Sequence, residues 1–434
     1  MFLYIFVAKI VSFLSEKLKI GSGSTWPGHL ILKFDNNFIE KIIKKNPHLK
    51  IIFVAGTNGK TTTVSLLSFI LKKLGYKVFY NQEGANLVNG IISAFIKNSD
   101  IFGNIKKDYA VFEVDEFSFP QILKKIPNPQ AIIILNLFRD QLDRYGEVNT
   151  IGWRWFNAFK DIDKNTLFVV NADDPFLYHE SKKLENQKIF FGIDKKLMTK
   201  KSLSSDIDFS YCPNCQNILT YKKIAYSHLG DFYCQKCGFK RTQELEDFSQ
   251  QKIRYQLYGI YNIYNTNAVL SLIKNIFQIK INFNYLLKDF QPAFGRQEEI
   301  IYKNRKFFIL LSKNPAGFNQ SIQTIKDILK EKKANFLIIL NNRIPDGLDI
   351  SWIWDVDFQL ILENSKNIYI SGDRAYDMGL RFKYEEAKTK IFTDFKQAIN
   401  EIVKKTKERE KIFVLPTYSA MLELRKFLIG RKLL

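Results

Sequence analysis

Histidine and cysteine are scarce in this chain, four of each among 434 residues, and their scarcity narrows the chemistry. His29, His48, His179 and His228 lie far apart, with no metal-ligand spacing and no nucleophile motif beside them, so each reads as a surface or packing residue. Long apolar runs are missing too. The opening M-F-L-Y-I-F-V-A is broken by Lys9 and followed by Ser15-Glu16-Lys17, which leaves it too short to span a bilayer. No small-residue cleavage site follows it, and the expectation is an amphipathic helix packed on the next domain of a cytoplasmic protein. Blocks of like charge are also absent. The 65 Lys and Arg against 44 Asp and Glu give a net +21, but the signs are interspersed, so the excess is weak evidence for a nucleic-acid or membrane partner.

What the chain does have is size and a repeating pattern. With 434 residues, 46% of them hydrophobic, it exceeds one ordinary core and predicts two or three domains. Its organising stretch is I-I-F-V-A-G-T-N-G-K-T-T-T, Ile51 to Thr63, an apolar strand running into a glycine loop and the apolar helix Val64 to Leu74. A helix start presents backbone N–H groups and a favourable dipole to an anion, so this order makes a phosphate cradle. Gly56 and Gly59 permit close approach, Lys60 can reach the β- and γ-phosphates, and Thr61 stands where such loops ligate Mg²⁺. The strict Walker pattern is not met, because Val54 occupies the place of its first glycine. A loop, Gly21 to Gly28, and a helix, Phe38 to Lys45, precede this unit. After it, Lys77 to Tyr80, Tyr109 to Val114, Ala131 to Leu135 and Thr166 to Val170 read as strands with polar residues at their C-terminal ends. Strands alternating with helices predict a doubly wound parallel sheet with its ligand crevice along those ends.

Two strand ends carry acids, Glu113, Asp115 and Glu116 after one and Asp140 and Asp143 after the next. Mg²⁺ takes one or two carboxylates together with phosphate oxygens and water, so one acid near Thr61 suffices. The four cysteines form Cys212-Pro-Asn-Cys215, eighteen residues, then Cys234-Gln-Lys-Cys237. Repeated C-x2-C pairs at this distance are the spacing of a closed, structural tetrathiolate zinc site. Two disulfides are the alternative, which a cytoplasmic chain disfavours. With every cysteine so committed, no thiol remains as a nucleophile. Zinc ribbons often bind nucleic acid, and Lys222, Lys223, Lys236, Lys240 and Arg241 lie nearby.

The loop G-T-N-G-K-T-T-T, the N-x-D-D-P of Asn171 to Pro175, the G-I-Y-N-I-Y-N-T-N-A of Gly259 to Ala268 and the F-G-R-Q-E of Phe294 to Glu298 together resemble the Mur ligase family, in that order. The cysteine insert, E-V-D-E, R-D-Q-L-D-R-Y-G, and the C-terminal S-K-N-P-A-G, D-G-L-D-I-S-W-I-W-D and L-P-T-Y-S-A-M-L-E-L-R extend the likeness over nearly the whole chain. They resemble the branch that amidates lipid II. The resemblance implies a helical segment over 1–50, a central ATP-binding domain over 51–295 with a zinc ribbon inserted at 206–243, and a Rossmann-like α/β domain over 296–434. It implies an ATP-dependent synthetase that activates the α-carboxylate of the stem-peptide D-glutamate as an acyl phosphate for ammonia to attack. The ammonia would come from a class I glutamine amidotransferase subunit, GatD-like, in a heterodimer working at the inner face of the membrane. Nucleic acid is then not an expected partner. Carried over by position, Gly56, Thr57, Asn58, Gly59, Lys60, Thr61 and Thr62 would hold the nucleotide phosphates, with Thr61 and Glu113 toward Mg²⁺. Asn262 would approach adenine, and Arg296 and Lys313 would reach the nucleotide from the C-terminal side. The nearest alternative is a Mur-type or folylpolyglutamate-type enzyme that adds an amino acid.

Departures from the family pattern accompany the likeness. Asp140-Gln141-Leu142-Asp143 stands where Mur ligases commonly read D-H-x-D, and Phe156 stands where many carry a lysine that becomes carbamoylated, which removes support for a two-metal arrangement. Fewer than sixty residues precede the phosphate loop, too few for the usual UDP-substrate domain. In the C-terminal part Lys306 to Leu311, Asn335 to Leu340, Phe358 to Leu362 and Ile412 to Leu415 are expected as buried strands, with a helix from Ser351 to Val356. The resemblance implies that an aspartate of the D-G-L-D-I-S-W-I-W-D stretch acts catalytically by completing the glutaminase site across the interface, and Asp349 is the one expected, over Asp346, a turn residue before Gly347, and Asp355, beyond the tryptophans. A plain capping role for Asp349 is the alternative.

Overall fold

The computed structural model describes residues 4–11, 25–81, 85–140, 148–200, 207–249, 253, 257–278, 282–291, 295–330 and 332–430. Two six-stranded sheets carry the chain. The first comprises β1 (Lys50–Ala55), β2 (Val78–Tyr80), β3 (Tyr109–Glu113), β4 (Ala131–Ile134), β5 (Leu167–Asn171) and β6 (Lys188–Phe191), ordered β2-β3-β1-β4-β5-β6. Every pairing in it is parallel, with Lys50 opposite Tyr109 and Ile52 opposite Ala131. Both faces are covered. Along β1 the period of two sends Phe53 and Ala55 into a core with the helices Phe38–Lys45, Val88–Asn98 and Val148–Phe159, and Ile52 and Val54 into another with Lys60–Lys73 and Ile260–Phe277. Phe53 is fully buried, and its side chain alone contributes about 1.5–3 kcal/mol. The chain runs from β1 out to β2 and β3 on one side and returns to β4 on the other, so the strand order reverses at β1 and opens a crevice at its C-terminal end.

Residues 4–11 are helical, with Ile5 and Ala8 buried in the same core as Ile31, Phe38 and Ile42. The cysteine insert is built on a hairpin, β7 (Thr220–Tyr226) with β8 (Leu229–Tyr233), whose small core joins Leu219 and Phe232 to Ala172 and Tyr178 of the main body. The second sheet comprises β9 (Arg296–Tyr302), β10 (Arg305–Leu310), β11 (Ala334–Ile339), β12 (Ser365–Ser371), β13 (Thr389–Ile391) and β14 (Lys411–Pro416), ordered β13-β12-β11-β14-β10-β9. Only the edge strand β9 runs antiparallel. No described helix is long and apolar enough to cross a membrane.

Three local readings are corrected. The segment Gly21 to Gly28 is not a loop throughout: the helix Trp26–Phe34 begins within it, opened by Pro27, and 21–24 lie outside the described residues. Phe358 to Leu362 is not a strand: the helix Gln359–Asn364 occupies it, and the strand follows as β12. A five-residue apolar run cannot tell the two apart by period, and Phe358 and Ile361, three apart, are the pair buried together. The helix expected at Ser351 to Val356 is a single 3₁₀ turn, Ser351–Asp355.

Candidate functional site

The loop between β1 and the helix Lys60–Lys73 turns at Gly56 and Gly59, with φ of +146° and +92°, conformations that side chains resist. Space forbids a side chain as well, since a Cβ on Gly59 would lie 2.3 Å from Asn265 Oδ1. Asn58 N donates to Asn136 Oδ1 at 2.9 Å, and Thr57 Oγ1 donates to the Phe138 carbonyl, so the loop is tied to the end of β4. Lys60 is buried and folds back, donating to the carbonyls of Gly56 (2.6 Å) and Thr57 (3.2 Å) and to Glu116 Oε1 (2.6 Å). Burial pushes the Glu116 carboxyl above its usual range, a rise that Lys60 opposes.

Thr61 donates from Oγ1 to Glu113 Oε2 at 2.7 Å, and Arg296 Nη2 donates to the same Thr61 oxygen at 3.0 Å. A hydroxyl and a carboxylate converging beside a phosphate loop fit a hard, oxygen-seeking cation such as Mg²⁺. Lys313 pairs with Asp140. Burial pulls the Lys313 ammonium down, but Asp140 and Glu116 together hold it above the usual lysine value. Asn58 and Asn314 exchange side-chain hydrogen bonds of 3.2 and 3.1 Å, so residues 256 apart in sequence close one rim of the site. Beside the loop a cleft is lined by Asn58, Gly59 and Thr62 on one side and by Tyr261, Asn262 and Arg296 on the other.

The structure thus brings Gly56 to Thr62, Glu113, Asn262, Arg296 and Lys313 to one place, and adds residues that sequence reasoning missed. Asn265 supports the loop at Gly59 and donates to Asn262 Oδ1 at 3.1 Å. Gln297, in a left-handed conformation at φ +61°, bonds both Tyr258 and the Tyr261 hydroxyl, fixing one cleft wall to β9. Both fall inside motifs already noticed, which was the available signal. Asn314 likewise falls inside S-K-N-P-A-G, as the cap of the helix that Pro315 opens. Phe156 is buried and packs edge-on against Phe159 and Phe176, away from polar chemistry. Asp143 and the rest of 141–147 lie outside the described residues.

Cys212, Cys215, Cys234 and Cys237 gather with all four sulfurs within 4.8 Å of one another, and none is in a disulfide. The Cys212–Cys237 and Cys215–Cys234 separations are 3.6 and 3.5 Å. A tetrahedral Zn–S site has sulfur–sulfur edges of about 3.8 Å, so the cluster fits such a metal. Of the nearby basic residues, Arg241 is not available to nucleic acid: it is buried, donating to Asp173 Oδ1 at 2.5 Å and to the Ile193 carbonyl.

Asp349 is half-buried and accepts from Ser351 N at 2.8 Å and Ser351 Oγ at 2.9 Å, opening the 3₁₀ turn. Asp346 is buried and tied to Ser419, and Asp355 pairs with Arg139 at 3.2 Å.

A phosphate loop at the reversal point of a parallel sheet, closed by cations from a second α/β sheet, is the arrangement of an ATP-driven ligase. The Mur ligase middle domain matches residues 54–273 and the MurT ligase C-terminal domain residues 311–421. The chain belongs to the Mur ligase family. It is 31% identical to the lipid II isoglutaminyl synthase (glutamine-hydrolyzing) subunit MurT of Streptococcus pneumoniae, with 96% of this chain and 94% of that protein covered. With MurT of Staphylococcus aureus (strain COL) it shares 31% identity over 92% of this chain and 91% of that one. The fold is also that of a pseudomurein peptide ligase type C from Methanothermus fervidus, at a TM-score of 0.64 and 22% identity over 90% of this chain and 80% of that one.

Proposed function

We propose that the chain is the synthetase subunit of a two-part amidating ligase, which uses ATP and ammonia to convert the α-carboxylate of the stem-peptide D-glutamate of lipid II to its amide. The observation that carries this reading is the likeness to MurT along both halves of the chain, phosphate loop and C-terminal sheet together. In it the γ-phosphoryl group passes from ATP to the carboxylate, releasing ADP, and ammonia displaces phosphate from the acyl phosphate to leave the amide. The work is positioning and charge stabilisation. Lys60 exchanges its loop carbonyls and Glu116 for phosphate oxygens, and Arg296 and Lys313 add positive charge from the far side of the cleft. Asn262 borders the base. Thr61 and Glu113 would hold Mg²⁺, which screens the phosphate charge when bound. The thiolate cluster would hold zinc structurally, four protein ligands leaving no open position. The reading divides the chain into 1–50, 51–295 and 296–434.

Ammonia is supplied by a class I glutaminase subunit whose Cys-His pair needs an acid to orient the imidazole. Asp349 is assigned that role. Asp346 is enclosed and Asp355 is engaged by Arg139, whereas Asp349 is half-exposed, and each carboxylate oxygen keeps a lone pair after bonding Ser351. The test is phosphate release in the presence of lipid II and ATP. The chain alone should respond to ammonium and not to glutamine, and the complex to both. Asp349→Asn should lower the glutamine-driven rate about a hundredfold or more and leave the ammonium-driven rate within about twofold. Release that requires an amino acid instead of ammonium would identify an amino-acid ligase, and an unchanged glutamine rate in Asp349→Asn would remove that residue.

A further inference from the structure

The helix over residues 4–11, Y-I-F-V-A-K-I-V, is apolar nearly all round. Its inner residues Ile5 and Ala8 are fully buried, yet Phe6, Val7 and Ile10 remain 44%, 39% and 42% exposed. A helix resting on a protein in water carries polar residues on its outer face, and one without them belongs in a core or at a membrane surface. The exposed face continues onto its neighbours. Phe34, 65% exposed, belongs to the next helix and sits beside Tyr4, the two rings stacked at 6.2 Å. Ile105, three residues beyond Phe102, is buried in the same core as Ile5 and Ala8, and Phe102 itself is 56% exposed.

The rim of this face is basic. Lys45 is exposed and donates to the Phe102 carbonyl at 2.6 Å, and Lys44 beside it and Lys33 beside Phe34 in sequence are exposed too. The local acids are largely neutralised, Asp35 by Lys41 at 2.8 Å and Glu40 by Lys125 at 3.3 Å. Aromatic and aliphatic side chains ringed by lysine stems match an anionic bilayer, in which acyl chains take the apolar groups and phosphates the ammonium groups. We infer that this face seats the protein on an anionic phospholipid surface by shallow insertion of Phe6, Val7, Ile10, Phe34 and Phe102. The inference deepens the proposed reading, whose lipid-linked substrate is held in such a bilayer. It also fixes an orientation. Phe102 precedes β3 and Lys45 precedes β1, so the surface meets the N-terminal edge of the first sheet, and β1 holds the phosphate loop about 20 Å away from that edge.

The test uses the full chain and sedimented vesicles of phosphatidylcholine, with and without a quarter of phosphatidylglycerol, and no lipid-linked substrate. Binding should require phosphatidylglycerol and weaken as salt rises through the range that screens surface charge. Phe6→Glu with Ile10→Glu should lower partitioning on the order of tenfold or more at an unchanged melting temperature. Lys44→Glu with Lys45→Glu should lower it without touching an apolar contact. Wild-type chain left in the supernatant, or both double variants binding as wild type, would overturn the inference. So would a light-scattering mass that halves in the Phe6/Ile10 variant, since the face would then join two copies of the chain. Amidation of a detergent-solubilised substrate separates the two proposals: activity without vesicle binding removes the membrane face alone, and vesicle binding without activity removes the proposed reaction alone.

Discussion

Lys60 and Glu116 illustrate how the site is poised at the residue scale. Both are buried, and the 2.6 Å pair between them satisfies two charges that would otherwise be costly to hold away from water. In the proposed reading a phosphate arriving at the loop would take over Lys60, and Glu116, its carboxyl already raised by burial, would accept a proton once its partner is withdrawn. Lys60→Ala should therefore abolish ATP turnover and also destabilise the chain by about 1–3 kcal/mol, the cost of leaving Glu116 without its donor. Adding Glu116→Gln should restore most of that stability, read as the melting temperature, without restoring turnover. A Lys60→Ala chain that still turns over ATP would remove the phosphate assignment. The strand, glycine turn and helix around Gly59, Lys60 and Thr61 were legible in the sequence because such a loop is local, its shape set by spacing within one turn. Glu116 was visible only as one acid among several, and the Asn58–Asn314 pair not at all, because no sequence period connects residues 256 positions apart.

Among the elements, the cysteine hairpin is the one that a bound metal would stabilise. Ala225, Tyr226 and Leu229 anchor one end of the hairpin in the core of the first sheet, whereas the end that carries the cysteines has the small cluster around Leu219 and Phe232, so a metal held by the four thiolates would add folding energy there. The purified chain should contain about one zinc, the capacity of a single closed tetrathiolate site. Cys212→Ser or Cys237→Ser should lose it and expose the hairpin to proteolysis while the first sheet stays folded. Metal-free protein with two disulfides would contradict this. The spacing of the cysteines announced the cluster, as the alternation of apolar strands announced β1, β3 and β4. Phe358 to Leu362 was misread because a short buried run has no distinguishing period, and β9 was missed because its burial alternates weakly, Ile301 being 67% exposed at the edge of its sheet.

On the scale of the whole molecule, the two sheets meet where Arg296 touches Thr61 and Lys313 pairs with Asp140, so the cations and the phosphate loop act together only if the two parts close on one another. The family resemblance already sent Arg296 and Lys313 toward the first unit, but not to Thr61 and Asp140, since those pairings depend on how separately folded surfaces dock. The assignment of the reaction rests on the likeness to MurT along both halves of the chain, which meet at that junction. It is tested most directly by giving the chain, together with the glutaminase subunit proposed for it, ATP, lipid II and glutamine labelled in the amide nitrogen, and locating the label by fragmentation mass spectrometry. The account predicts the label in the α-carboxamide of the stem D-glutamate, formed together with ADP and phosphate. A stem peptide that stays unlabelled while ATP is consumed, or that gains a whole amino acid, would contradict it.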